Sequence, residues 1–137
     1  MIWPRQYHNR LQDWVALRSR PGLDLQSINA WWFAAPWTAY YLHWDDQRDW
    51  PDPWQLLDDN VFCDLARGLG ILYTIALLDS SPYSDAELVE TQLGNLVLVE
   101  QRKYILNYQP EVVVNNNLEY GNIRRSITLA EVQQRIQ

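Results

Sequence analysis

A chain of 137 residues, 47% hydrophobic and 20% charged, has the composition of an ordinary globular domain, with room for one core but not for two. Its formal net charge of -6 excludes a global positive field, and with it electrostatic recruitment of nucleic acid or of an anionic membrane. A single cysteine excludes an internal disulfide and a cysteine-built metal site, and no motif calls for a cofactor. The first ten residues lack the apolar core of a signal peptide, and the longest apolar run, residues 71–78, is too short to span a bilayer. The expectation is a cytoplasmic protein, or one carried in an assembly such as a virion. All eight tryptophans lie between Trp3 and Trp54, a load that either covers a small sheet or offers a partner an aromatic surface.

Residues 5–19 carry Leu11, Trp14, Val15 and Arg18 at three- and four-residue steps, which predicts a helix stopped by Arg20-Pro21-Gly22. Asp24 caps a second helix with Leu25, Ile28, Trp31 and Trp32 on one side, ended by Pro36. Residues 37–50 show no period and read as an ordered loop or short edge strand. Asp52, Pro53 and Gln55 make a third helix start: a cap, a proline at the first helical position and a capping-box residue. The helix pauses at residues 58–60. A second run then places Val61, Phe62, Leu65 and Leu69 on one face, with Gly68 and Gly70 as a left-handed stop. Residues 71–78, apolar at nearly every position, read as a central strand buried on both faces.

A turn follows at residues 79–82, and residues 86–91 fit strand or short helix alike. Residues 96–99 and 104–108 read as an antiparallel hairpin and residues 112–114 as a third strand. Residues 115–117 form a polar break and Gly121 a turn, and Thr128 with Glu131 forms a capping box that opens a terminal helix. Helices first and then a small, mainly antiparallel sheet predict an α+β fold in one domain, residues 1–137.

The chemistry centres on Cys63. A thiol near a helix N-terminus is favoured as a thiolate, and Arg67 lies one turn on, while Asp58, Asp59 and Asp64 push the other way. The competing reading is a small buried hydrophobe. His8 and His43 are the only imidazoles; His43 is the alternative base for Cys63, and reads equally as a surface ring among aromatics. Asp45, Asp46, Asp49, Asp52, Asp58 and Asp59 lack the spacing and glycine of a calcium loop and read as solvated acids and caps, so no metal is expected. Gly68-Leu69-Gly70 follows a helix, the wrong order for a phosphate loop, and Arg124-Arg125 is too short for a basic patch.

The order Trp50-Pro51-Asp52-Pro53-Trp54, acidic residues, Cys63-Asp64-Leu65-Ala66, Leu69-Gly70-Ile71, apolar strand and hairpin resembles the core of the transglutaminase-like cysteine peptidase superfamily over residues 50–112. The resemblance implies a papain/transglutaminase-like core with the nucleophile at Cys63 and a hairpin carrying histidine and then aspartate. Those two positions fall on Asn95 and Asn107, and an asparagine amide cannot take the proton of a thiol, so the triad implied is degenerate. The two asparagines share a sheet face only if the hairpin loop holds an odd number of residues, for example 101–103.

The stretches Trp31-Trp32-Phe33-Ala34-Ala35-Pro36-Trp37 and Asp52-Pro53-Trp54-Gln55-Leu56-Leu57 are also similar to small proteins of tailed bacteriophages, including those of cyanobacteria. That likeness implies a virion component of the neck, tail or baseplate. The reading that joins both is a non-catalytic interaction or structural protein, held to protein partners in a larger assembly by Trp31, Trp37, Tyr40, Tyr41, Trp44 and Trp50. Two alternatives stand beside it. One is an active cysteine hydrolase or transglutaminase-like enzyme using Cys63, with His43 or a partner as base; the other is an adaptor or inhibitor of a host protein.

Overall fold

In the computed structural model, which describes residues 2–78, 82–116 and 118–136, most helices begin at a capping residue. After α1 (Tyr7–Arg18), the Asp24 carboxylate accepts from the Ser27 N–H at 2.8 Å and opens α2 (Leu25–Phe33). Asp52 accepts from the Gln55 N–H at 2.8 Å and opens α3 (Pro53–Asp59), with Pro53 in the first turn, where a missing N–H costs nothing. The buried side of α1 is Arg10, Trp14 and Leu17, whereas Val15, expected on it, is exposed. The face is turned by Arg10, whose Nε donates to the Leu57 carbonyl at 2.8 Å and ties α1 to the C-terminal end of α3. Between α2 and α3, residues 37–50 form neither a plain loop nor an edge strand. Trp37 makes one parallel bridge to Phe62, and a 3-10 helix covers Trp44–Asp49.

The main correction concerns residues 61–78. The next helix, α4 (Asp64–Ala76), starts later than expected, with Cys63 as its cap, and passes straight through Gly68 and Gly70. Residues 71–76 are its second half and not a strand. Ten of its 13 residues are buried, so the helix is apolar almost all round, and an apolar run without alternation looks the same in a buried strand. The glycines permit close approach instead of ending the helix. A Cβ on Gly70 would stand 2.5 Å from the Trp32 ring, and one on Gly68 would stand 2.6 Å from Leu88 Cδ1.

Five strands follow: β1 (Ala86–Thr91), β2 (Gly94–Val99), β3 (Tyr104–Leu106), β4 (Val113–Val114) and β5 (Arg125–Thr128). They form one antiparallel sheet in the order β4-β3-β2-β1-β5, a meander whose last strand returns to the free edge of β1. Thr128 and Glu131 then box the start of α5 (Leu129–Ile136): the Glu131 N–H donates to Thr128 Oγ1 at 3.3 Å, and the Thr128 N–H to Glu131 Oε1 at 3.1 Å. The fold is α+β. Of the expected turn at residues 79–82, residues 79–81 lie outside the described set, as does residue 117 of the polar break. No described helix is long and apolar enough to cross a membrane.

Leu88, Val97, Val99 and Leu106 face α4 and join the main core, while Val89, Leu96, Leu98 and Ile105 point the other way beneath Val113, Leu118, Tyr120 and Ile123. The tryptophans surround α4 and the loop before it. Thr74 Oγ1 accepts from the indole N–H of both Trp14 and Trp32 at 2.9 Å and donates to the Gly70 carbonyl at 2.8 Å, so one hydroxyl uses its donor and both lone pairs.

Gly70→Ala tests the close approach. Helix propensity alone favours alanine by about 1 kcal/mol, whereas overpacking against Trp32 costs about 1–3 kcal/mol. The expected net result is a lower denaturation midpoint in urea; a raised midpoint would show that the Trp32 ring yields.

Candidate functional site

The N-terminus of α4, the start of β2 and the end of β3 meet at one end of the sheet. Cys63 stands at that helix end, 3% exposed, with its Sγ accepting from the Ala66 N–H at 3.5 Å. Among the described residues, this is the one hydrogen bond its sulfur makes. Asp64, the next residue, reaches β2: the Asn95 backbone N–H donates to Asp64 Oδ2 at 2.9 Å, and Asn95 Nδ2 to Asp64 Oδ1 at 3.2 Å. Asn95 Oδ1 in turn accepts from the Trp44 indole at 2.7 Å. The amide at Asn95 is therefore held on both sides by groups other than the thiol.

Asn107 completes the arrangement from β3. The hairpin loop holds the four residues 100–103, so strand alternation would put Asn107 on the opposite face from Asn95. It does not, because Asn107 has φ +66°, a left-handed backbone that asparagine tolerates and that ends the pleat at Leu106. Its Nδ2 donates to the Asn95 carbonyl at 2.6 Å and to the Asp64 carbonyl at 2.8 Å, and its Oδ1 accepts from Arg67 Nε at 2.6 Å. Its backbone N–H donates to Asn29 Oδ1 at 2.9 Å, and Asn29 Nδ2 donates to the carbonyls of Gln109 and Pro110 at 2.8 and 2.9 Å. Arg67 stacks 3.7 Å over the Phe33 ring, and burial lowers its pKa from the ordinary value against the opposing charge of Asp64.

Cys63, Asn95 and His43 line one cavity of about 380 Å³, whose wall also carries Tyr40, Trp44 and Asp64. His43 is exposed, packs its ring 5.1 Å from that of Tyr40, and makes no side-chain hydrogen bond among the described residues. Tyr41 is half-buried and donates a short hydrogen bond to Asp59; burial first, and that bond second, push its pKa up, so it stays a protonated donor.

The expected aromatic surface shrinks. Trp31, Trp44 and Trp50 are buried, with indole N–H groups committed to Asp13, Asn95 and the His43 carbonyl at 2.8, 2.7 and 2.8 Å. These three belong to the core because each indole has an internal acceptor. Trp37 and Tyr40, 66% and 74% exposed, are the two that face solvent.

Asn29 did not stand out in the sequence, and Asp64 and Arg67 did so only as charges beside Cys63. The available signal was Asn29 itself, four residues after Leu25 and three before Trp32, hence a polar residue on the inner side of an apolar helix. Among the described residues no group of three or more His, Cys, Asp or Glu side chains is placed to hold a metal ion. Comparison with protein-family models, with curated proteins and with solved structures finds no match to this chain.

Asn107→Asp probes the clamp directly. The exchange sets a carboxylate oxygen against two carbonyl oxygens, and the unmet acceptors should cost about 2–3 kcal/mol even with Arg67 alongside. Urea denaturation measures it, and an unchanged midpoint would mean that the Asn107 amide does not hold the site together.

Proposed function

We propose that this protein is a non-catalytic interaction or structural protein on a degenerate transglutaminase-like scaffold. The observation that carries the reading is the amide clamp. The positions that a working triad would give to a base and its orienting carboxylate hold Asn95 and Asn107, and both amides are spent on Asp64, Trp44, Arg67 and backbone carbonyls. The buried thiol's one hydrogen bond among the described residues goes to its own helix, and neither asparagine can take its proton. Network and thiol together act as a structural joint between α4, β2 and β3.

Function then lies on the neighbouring surface. Tyr40 supplies an exposed ring at the cavity, and Trp37, bridged to Phe62, is a second exposed ring, a pair suited to a protein partner. The resemblance of residues 31–37 and 52–57 to small proteins of tailed bacteriophages supports a partner in a neck, tail or baseplate. A cysteine hydrolase is the second reading, and one observation favours it: His43 and Cys63 line the same cavity.

Iodoacetamide at pH 6, read by intact mass, separates the two. The structural reading expects Cys63 to be labelled no faster than a free cysteine, since the thiol is 3% exposed. Labelling well above that rate, and lost in His43→Ala, would establish a cysteine–histidine pair and overturn it.

A further inference from the structure

An aromatic cradle between α2 and the end of α3 is already filled by this chain. Trp3 lies against Trp31, Trp32 and Phe62, with ring centroids 4.6, 6.0 and 5.6 Å away, and its indole N–H donates to Asn60 Oδ1 at 2.7 Å. The three walls are core rings. Asn60 is fixed as the left-handed cap of α3, φ +56°, with its own N–H on the Leu56 carbonyl. Three rings and one placed acceptor make a site for an indole.

The present occupant is held from one side. Trp3 is half-buried, Ile2 before it is 90% exposed, and residues 2–5 make no backbone–backbone hydrogen bond among the described residues. Behind it, Arg10 Nη1 donates to the carbonyls of Pro4 and Arg5 at 3.2 and 2.7 Å, which anchors the chain there. The part free to leave the cradle is therefore the Trp3 side chain, pivoting ahead of Pro4. The exposed Trp37 shares a wall with this cradle. It bridges Phe62, and the Thr38 N–H donates to the Phe62 carbonyl at 2.8 Å.

We infer that the cradle docks a tryptophan side chain of a partner protein, with Trp3 as its intramolecular stand-in. The inference rests on the interaction-protein reading above and gives the partner its chemistry. An incoming indole remakes both the ring contacts and the Asn60 bond, whereas leucine or phenylalanine leaves that acceptor unmet. Tethered Trp3 competes at an effective concentration on the order of millimolar. Only a segment with further contacts, such as those Trp37 offers, displaces it, and Trp3 thus guards the cradle against stray apolar chains.

The test titrates the full chain with N-acetyl-L-tryptophanamide, followed by heteronuclear NMR. Trp3→Ala should bind this probe saturably, and the unaltered chain at least about tenfold more weakly. Adding Asn60→Gly, which suits the left-handed cap and removes the acceptor, should weaken binding about three- to tenfold. N-acetyl-L-phenylalaninamide should bind Trp3→Ala more weakly by a similar factor. A ring that serves stability alone is told apart in the unaltered chain by indole hydrogen exchange. The Trp3 N–H should exchange at least about tenfold faster than those of Trp14 and Trp32, which end on Thr74 inside the core.

Absence of saturable binding by a folded Trp3→Ala chain overturns the proposal, as does equal binding of the two amides. Exchange of the Trp3 N–H no faster than that of Trp14 and Trp32 also overturns it, because the cradle would then open only on global unfolding. Should Trp3→Ala fail to fold, this exchange measurement decides. Sedimentation showing self-association that Trp3→Ala abolishes would make the occupant a second copy and overturn the partner. Labelling of Cys63 keeps the two readings apart: rapid labelling defeats the non-catalytic reading, whereas these outcomes defeat the cradle alone.

Discussion

The Thr74 hydroxyl holds the largest rings of the core to the most buried helix. Trp14 from α1 and Trp32 from α2 both end on it, and its own proton goes back to the Gly70 carbonyl one turn earlier. Trp32 reaches that position only because residue 70 has no side chain. Hydroxyl and glycine are thus one device, spaced four residues apart on the same side of α4. Removing the oxygen would leave two indole N–H groups buried without an acceptor, at about 1–3 kcal/mol each, which is a large share of the stability of a domain this size. With α1 and α2 fixed in this way, α4 is left to carry the sheet on its other side and Cys63 at its end.

What could be read from the sequence was local, and what could not was mutual. Asp24, Asp52 and the Thr128–Glu131 pair each act within three or four residues, and each helix start forms where those residues stand. The β2–β3 hairpin was readable for the same reason. The second half of α4 was not, because residues 71–76 are apolar at nearly every position where neighbours cover every side, and the glycines before them meet Trp32 at Gly70 and Leu88 at Gly68. Two glycines close together suggest a stop when the chain is read alone, and a pair of contacts when its neighbours are known. Asn107 was misplaced on similar grounds, since counting along a pleat presumes that the pleat continues, and a single left-handed residue ended it.

The aromatic segment divides along the same line. Composition could not separate rings that bury their N–H on an internal acceptor from rings that face solvent, because the acceptors Asp13, Asn95 and the His43 carbonyl are supplied by three different parts of the chain. Asn95 is shared between the two halves of the molecule. It anchors Trp44 of the acidic loop and Asp64 of the buried helix at once, so the joint at the end of α4 also sets the position of the surface beside it.

That surface is completed late in the chain. Asp45 finds Arg125 eighty residues on, and the Trp50 carbonyl accepts from Arg135 at 3.2 Å, eighty-five residues on. A polypeptide emerging from the ribosome carries the tryptophan-rich loop long before it carries either arginine. Until β5 and α5 exist the loop lacks both of these ties, so its final shape waits for Arg125 and Arg135. Of the same two elements, β5 also pairs with β1, and together they add Ile127, Leu129 and Val132 to the core, so the loop and the body reach their final form together.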